Sequence, residues 1–137
     1  MKNINIIVII VVCLSTIACV RETATCHTKL HIDNNSNKDI YWIEESYSAK
    51  DTILSKTYKI TDREKINKSG TGYLYLTYCI ESTVNKQPEQ KLYLTLLDAA
   101  VVESTPWDTI CKKDMVLKRY KLSVADLMRM DFTVTYP

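Results

Sequence analysis

Cys26, His27 and His31 are residue types that bind metal ions, and they lie close together in the sequence. Leu30 and Ile32 alternate with polar neighbours, which predicts a strand through this stretch. On a strand, His27 and His31 share a face but lie about 13 Å apart. Zinc ligands must lie within about 2.0–2.3 Å of one ion. We therefore expect no metal site and no cofactor.

Acidic residues offer one candidate for acid–base chemistry. Asp98 interrupts the apolar run KLYLTLLDAAVVES. Such a carboxylate either bonds to backbone amides at a bulge or has a perturbed pKa that serves a function. The chain has only two glycines, too few for a phosphate-binding loop. We predict no catalytic residues and a protein that is not an enzyme; the alternative is a small hydrolase or metal-dependent enzyme using Asp98, His31 or His27.

Tyrosines form the strongest candidate interaction surface. In GYLYLTYCI, which alternates strictly, Tyr73 and Tyr75 project to the same face. Tyr41 is expected on a neighbouring strand, as is Tyr47. Aromatic rows of this kind can bind proteins or glycans, although cross-strand packing is their more ordinary use. We take Tyr73, Tyr75 and Tyr41 as the candidate interaction face.

The strands that would position these residues are short and numerous. KLHIDNNSNKDIYWIEESY predicts a hairpin, or a strand pair with a tight loop, around residues 34–37. Further strands are expected in TYKI, GYLYLTYCI, MVLKRYKL and FTVTYP. VNKQPEQ reads as a polar loop and TPWDTI as a turn or one helical turn. KLYLTLLDAAVVES is long enough for a bulged strand or two successive strands.

One short helix is expected before the last strand. In LSVADLMRMD, Ser123 and Asp126 have the spacing of a capping box, and Val124, Leu127 and Met128 share an apolar face. These elements predict a mainly β fold: an antiparallel β-sandwich of immunoglobulin-like type, with one short helix before the C-terminal strand.

The first residues have the layout of an export signal. Lys2 precedes a short apolar run, and small residues lead to Ala18 and Cys19. This resembles a bacterial lipobox, in which the thiol of Cys19 is acylated with diacylglycerol and the chain is cut before it. Thr16 departs from the usual leucine, and an ordinary secretory signal remains the alternative. We predict a signal peptide at 1–18, a lipidated tether at 19–28 and one domain at 29–137.

Composition limits the partners and the cysteine chemistry. The formal net charge of +2 gives no reason to expect nucleic acid binding. The basic run from Lys112 to Lys121 is typical of the solvent face of a strand. Export permits disulfides, and Cys26, Cys79 and Cys111 allow one bridge of open connectivity, while all three also suit buried positions.

The C-terminal third resembles a family of small lipoproteins from Bacteroidota. The shared features are an Asn-rich turn at Asn34 to Lys38, the PWDTI segment from Pro106 to Ile110, and the LKRY…LS..DL…TVTYP ending from Leu117 to Pro137. The resemblance implies envelope location and lineage, and it brings no activity or site residues. Thr52 and Thr109 each lie in an Asp-Thr-Ile tripeptide that resembles the short O-glycosylation motif of that group. The resemblance therefore implies that these two threonines are possible O-glycosylation sites.

Together these features predict an anchored binding protein. We expect a non-enzymatic interaction module, held by fatty-acyl chains such as palmitate in the outer membrane and binding an unknown protein or glycan. Val20-Arg21-Glu22-Thr23 is not an acidic surface-export signal, so we expect it to face the periplasm. The alternatives are a small envelope hydrolase or metal-dependent enzyme, and an inhibitor or immunity-type protein.

Overall fold

Strands in two sheets form most of the regular structure. The computed structural model describes Thr23, residues 25–45 and residues 54–137. The strands are β1 (Lys29–Asn34), β2 (Ile40–Glu45), β3 (Lys65–Ile66), β4 (Thr71–Tyr75), β5 (Leu92–Asp98), β6 (Lys118–Leu122) and β7 (Thr133–Tyr136). The fold of the described residues is therefore mainly β, in two antiparallel-rich sheets with a few short helices. The predicted signal peptide 1–18, Cys19, Tyr47 and Thr52 lie outside these residues.

The predicted hairpin of the first two strands is wrong, because β1 and β2 belong to different sheets. One sheet has the order β4-β1-β7, with β1 antiparallel to β4 and parallel to β7. The other has the order β3-β2-β5-β6 and is antiparallel throughout. The side-chain Nδ2 of Asn34 donates to the backbone carbonyl oxygens of Lys38 and Asn67 at 2.8 and 3.0 Å. The Asn-rich turn thus carries the chain between sheets.

Two buried clusters lie on opposite faces of the four-stranded sheet. One is shared by both sheets and includes Leu30, Leu74, Trp42 and Leu96. The second, on the other face, includes Tyr41, Ile43, Leu97 and Ile110. Helices and residues 54–60 cover this second cluster. Because β2 and β5 are buried on both faces, their sequences IYWI and LYLTLL are nearly continuous apolar runs.

Four short α-helices are present in the described residues where the sequence predicted one. They are α1 (Ile80–Lys86), α2 (Ala99–Ser104), α3 (Trp107–Lys113) and α4 (Val124–Arg129); a 3₁₀ helix spans Asp62–Glu64. β4 ends at Tyr75, so the second half of GYLYLTYCI leads into α1, which also includes part of the predicted VNKQPEQ loop. Residues 99–104 form α2 in place of a second strand. TYKI is not a strand.

The predicted capping box, helix and last strand at the C-terminus are confirmed. Ser123 accepts a hydrogen bond from the Asp126 amide at 3.1 Å, and the Asp126 carboxylate accepts one from the Ser123 amide at 2.9 Å. This is the capping box of α4. Of the predicted apolar face, Leu127 is fully buried and Val124 packs against the core, but Met128 is half exposed and does not belong to that face. β7 follows at the edge of its sheet.

Candidate functional site

The outer face of the three-stranded sheet carries an exposed aromatic surface. We call Lys29, His31, Tyr73 and Tyr75 the tyrosine face. Tyr73 is 40% exposed and Tyr75 66% exposed, and their ring centroids lie 6.0 Å apart. The Lys29 ammonium lies 3.9 Å from the Tyr73 centroid and 5.8 Å from that of Tyr75. His31 meets Tyr73 edge to face at 5.1 Å.

Strand register explains why these four side chains meet. Lys29 is opposite Tyr75 and His31 is opposite Tyr73 across the β1–β4 pair. Leu30 and Leu74 point the other way and are buried. The alternation of KLHID predicts that Lys29 and His31 share a face, but only the β1–β4 pairing shows that this face is also that of Tyr73 and Tyr75.

The polar part of the same face lies at the far ends of β1 and β4. Thr71 donates its hydroxyl hydrogen to the Asp33 carboxylate at 2.7 Å. Thr133 is opposite His31, and Thr135 is opposite Asp33, across the β1–β7 pair. The face therefore combines flat rings with hydroxyl, carboxylate, imidazole and ammonium groups. This combination suits contact with a partner that has both apolar and polar groups.

Tyr41 does not belong to this surface, which corrects the predicted three-residue face. It lies on β2 of the other sheet and is 5% exposed, within the second cluster. Burial raises its pKa, and nearby Glu103 raises the pKa further. The continuous apolar run IYWI was the sequence signal that side chains on both faces of β2, Tyr41 included, are buried.

His27 and Glu81 form a pair that the sequence did not indicate. The His27 imidazole Nδ1 and a Glu81 carboxylate oxygen lie 2.5 Å apart, and the His27 amide donates to the same carboxylate at 3.0 Å. Glu81 is buried. Burial by itself raises its pKa, but hydrogen bonds from the His27 side chain and from the backbone amides outweigh that effect and lower the pKa below its usual value.

A disulfide and a stacked ring hold the same segment to the domain. Cys26 is bonded to Cys79, with Cα atoms 4.9 Å apart. The His27 ring stacks on Phe132 at 3.8 Å. Phe132 has φ of 50°, a left-handed conformation that is costly for an aromatic residue; its carbonyl accepts from the His31 amide at 2.8 Å. Residues 26–28, assigned to the tether from sequence, are thus bound to the folded unit.

The residues considered for catalysis lie in separate environments. His27 is paired with Glu81 and His31 with Tyr73, while Asp98 is on the other sheet. Asp98 accepts from the Ala100 amide at 3.0 Å and from Lys38 Nζ at 2.8 Å. The Lys38 ammonium lowers the pKa of this carboxyl. Asp98 therefore binds a backbone amide, as one interpretation of the sequence expected, but it does so as the cap of α2 and not at a strand bulge, because β5 pairs with β2 without interruption up to Asp98.

Other chemically active groups have structural positions. Cys111 is a free, buried thiol whose pKa is raised by burial. Thr109, the second predicted glycosylation residue, is half-buried on α3 beside buried Ile110. In the described residues, no three His, Cys, Asp or Glu side chains form a group able to hold a metal ion. Nor does any helix in this part of the chain have the length and apolarity to cross a bilayer.

Comparison with known proteins adds no relative. No protein-family model, curated protein or solved structure matches the chain. The functional conclusion therefore depends on the tyrosine face and on the sequence.

Proposed function

We propose that this chain is a lipid-anchored, non-enzymatic binding module of the cell envelope, and that the tyrosine face holds its partner. One observation supports this most strongly: Tyr73 and Tyr75 are large, exposed and side by side on a regular sheet. Tyrosine rings supply contact area at low conformational cost, and their hydroxyl groups add hydrogen bonds.

The neighbours of the two rings support a binding role. Lys29 lies over both rings and His31 abuts Tyr73, so the rings have preferred positions before a partner arrives. Pre-positioning reduces the entropy lost on binding. The partner is a protein or a glycan, since both present apolar patches together with hydrogen-bonding groups.

The scaffold we propose is a β-sandwich. Its support is the cluster of buried residues shared by the two sheets. The division into four and three strands is that of an immunoglobulin constant domain, whereas the strand order differs from that type. The immunoglobulin-like type stays a prediction.

The non-enzymatic part of the proposal is supported by the separate positions of His27, His31 and Asp98. His27 is paired with a buried glutamate, whereas Asp98 caps a helix and is paired with the Lys38 ammonium. The address, an outer-membrane anchor at Cys19 with the domain facing the periplasm, is proposed from the sequence and from the resemblance to Bacteroidota lipoproteins.

Envelope pull-down with matched variants tests the proposal. Lipidated wild-type protein is incubated with detergent-solubilised envelopes and, separately, with insoluble envelope glycan. Tyr73→Ser is expected to lose the captured partner. Tyr78→Ser is the control, because Tyr78 is 72% exposed but lies outside the tyrosine face. Equal capture by both variants, or no capture by wild type, would contradict the proposal. The anchor is tested separately by labelling with radioactive palmitate and by membrane fractionation. If the label does not enter the protein, and Cys19→Ser divides between membrane and soluble fractions as wild type does, the proposed lipid anchor is wrong.

A further inference from the structure

Within the described residues, the end of the domain next to the tether carries the most exposed large apolar side chains. Tyr78 is 72% exposed and is adjacent to Cys79, which is bonded to Cys26. Met128 is 53% exposed on α4, and α4 packs against α1, which begins at Ile80. Tyr75 is 66% exposed on the neighbouring end of β4. We call Tyr75, Tyr78 and Met128 the tether end.

The opposite end of the domain differs in composition. It is formed by residues 35–39, residues 67–70 and the end of β7, which are linked by backbone hydrogen bonds from Asn34 to Gly70 and from Asn35 to Tyr136, both 2.8 Å. In the described residues, the large exposed apolar side chains are Tyr73, Tyr75, Tyr78 and Met128. None of these four is at the opposite end, so the exposed apolar surface is polarised toward the tether.

Chain length keeps the tether end close to Cys19. Thr23 and Cys26 exchange backbone hydrogen bonds of 3.0 and 3.1 Å, so Thr23 lies beside the disulfide. Three residues lie between Cys19 and Thr23, and the four residue steps from Cys19 to Thr23 span at most about 14 Å when fully extended. An acylated Cys19 would therefore leave the disulfide and Tyr78 within a short distance of the headgroups.

The residue types at this end suit a lipid surface. Tyrosine is enriched at membrane interfaces because its ring is apolar and its hydroxyl group stays hydrated. Lys29, which lies over the Tyr75 ring, supplies a cation near anionic headgroups. A soluble partner would need no particular proximity to the anchor, so the short tether favours the bilayer as the occupant.

We propose that the tether end rests on the lipid surface, with Tyr78 and Met128 at the depth of the headgroups. This inference rests on the proposed lipid anchor at Cys19. It orients the molecule: β1 points away from the membrane from Lys29 to Asn34, and residues 35–39 point into the surrounding compartment. The tyrosine face is presented sideways, with Lys29 and Tyr75 at its edge next to the membrane and Tyr73 farther from it.

Quenching by brominated lipids tests this orientation. The lipidated mature chain, which begins at Cys19, is reconstituted into phosphatidylethanolamine and phosphatidylglycerol vesicles whose acyl chains are brominated close to the headgroups. Tyr78→Trp is the test variant and Met128→Trp a second one. Asn37→Trp is the control, because Asn37 is exposed at the opposite end. Emission of the parent chain, from Trp42 and Trp107, is subtracted.

The expected result is a loss of roughly twofold in the added emission for Tyr78→Trp and Met128→Trp, with little loss for Asn37→Trp. Vesicle flotation is measured on the same samples. If the protein floats with the vesicles but all three variants are quenched equally, the orientation is overturned and the anchor stands. If the protein does not float, the anchor fails and the orientation fails with it.

Discussion

At the scale of single residues, Glu81 shows how neighbours set the behaviour of a carboxylate. It is buried at the start of α1 and accepts hydrogen bonds from both the side chain and the amide of His27. A buried carboxylate without such donors would be neutral or strongly destabilising. In this protein the Glu81 carboxylate joins the segment before β1 to α1 through these hydrogen bonds.

The lowered pKa of Glu81 predicts a pH dependence of stability. Because the pKa is below its usual value of 4.5 in the folded state, the unfolded state binds the proton more readily. The stabilisation is fully present above pH 4.5 and is lost as the pH falls through the folded pKa. We expect Glu81→Gln to lower the free energy of unfolding by about 1–3 kcal/mol at neutral pH, with a smaller difference at acid pH.

Urea unfolding of wild type and Glu81→Gln between pH 3 and 7 measures this effect (roughly the range over which carboxylates titrate). Asp131→Asn is the control, since Asp131 is exposed. A difference between wild type and Glu81→Gln that grows as the pH falls would show that the assigned sign is wrong.

Two of the four described α-helices begin at a side chain that binds a backbone amide, Asp98 at α2 and Ser123 at α4. Asp98 ends β5 and caps α2 by accepting from the Ala100 amide. The sequence placed Asp98 correctly as an unusual carboxylate in an apolar run. It did not show that the chain changes from strand to helix there, because AAVVES is compatible with either structure.

Asp98→Ala is therefore expected to cost about 0.5–2 kcal/mol of stability through loss of the helix cap. Asp98→Asn retains a capping oxygen and is expected to lose less stability than Asp98→Ala. The loss that remains for Asp98→Asn reflects the removed negative charge, which faces Lys38 in the wild type. Thermal unfolding of both variants measures this. A loss as large for the asparagine variant as for alanine would contradict the capping role.

The disulfide connects the segment before β1 to the start of α1. Cys26 and Cys79 are 53 residues apart in sequence, so the bridge removes considerable freedom from the unfolded chain. The loop-entropy relation gives about 4 kcal/mol. We expect reductant to lower the denaturation midpoint of wild type and of Cys111→Ala alike, but not that of Cys26→Ala/Cys79→Ala. Sensitivity to reductant in the double variant would overturn this assignment.

At the scale of the whole molecule, the four-stranded sheet separates two cores. Leu96 faces the cluster shared by the two sheets, and Leu97, its neighbour on β5, faces the cluster under α2 and α3. Both are fully buried. On β4 the situation is different, because Leu74 is buried and Tyr75 is exposed.

This arrangement predicts a contrast between two pairs of adjacent residues. Leu96→Ala and Leu97→Ala are each expected to cost about 2–5 kcal/mol. On β4, Leu74→Ala is expected to be similarly costly, while Tyr75→Ala stays within about 0.5 kcal/mol of wild type. Guanidinium unfolding of the four variants measures the contrast. A near-neutral Leu97→Ala would mean that the second core does not form.

The sequence by itself determined the features that depend on neighbours along the chain: the strand alternation of β1 and β4, the capping box of α4, and the shared face of Tyr73 and Tyr75. These follow from the two-residue and 3.6-residue periods. Tertiary structure alone determined the sheet membership of β1 and β2, the burial of Tyr41, the Cys26–Cys79 bridge and the His27–Glu81 pair. Each of these joins residues far apart in sequence, and local patterns carry no information about which distant partner will be buried against them.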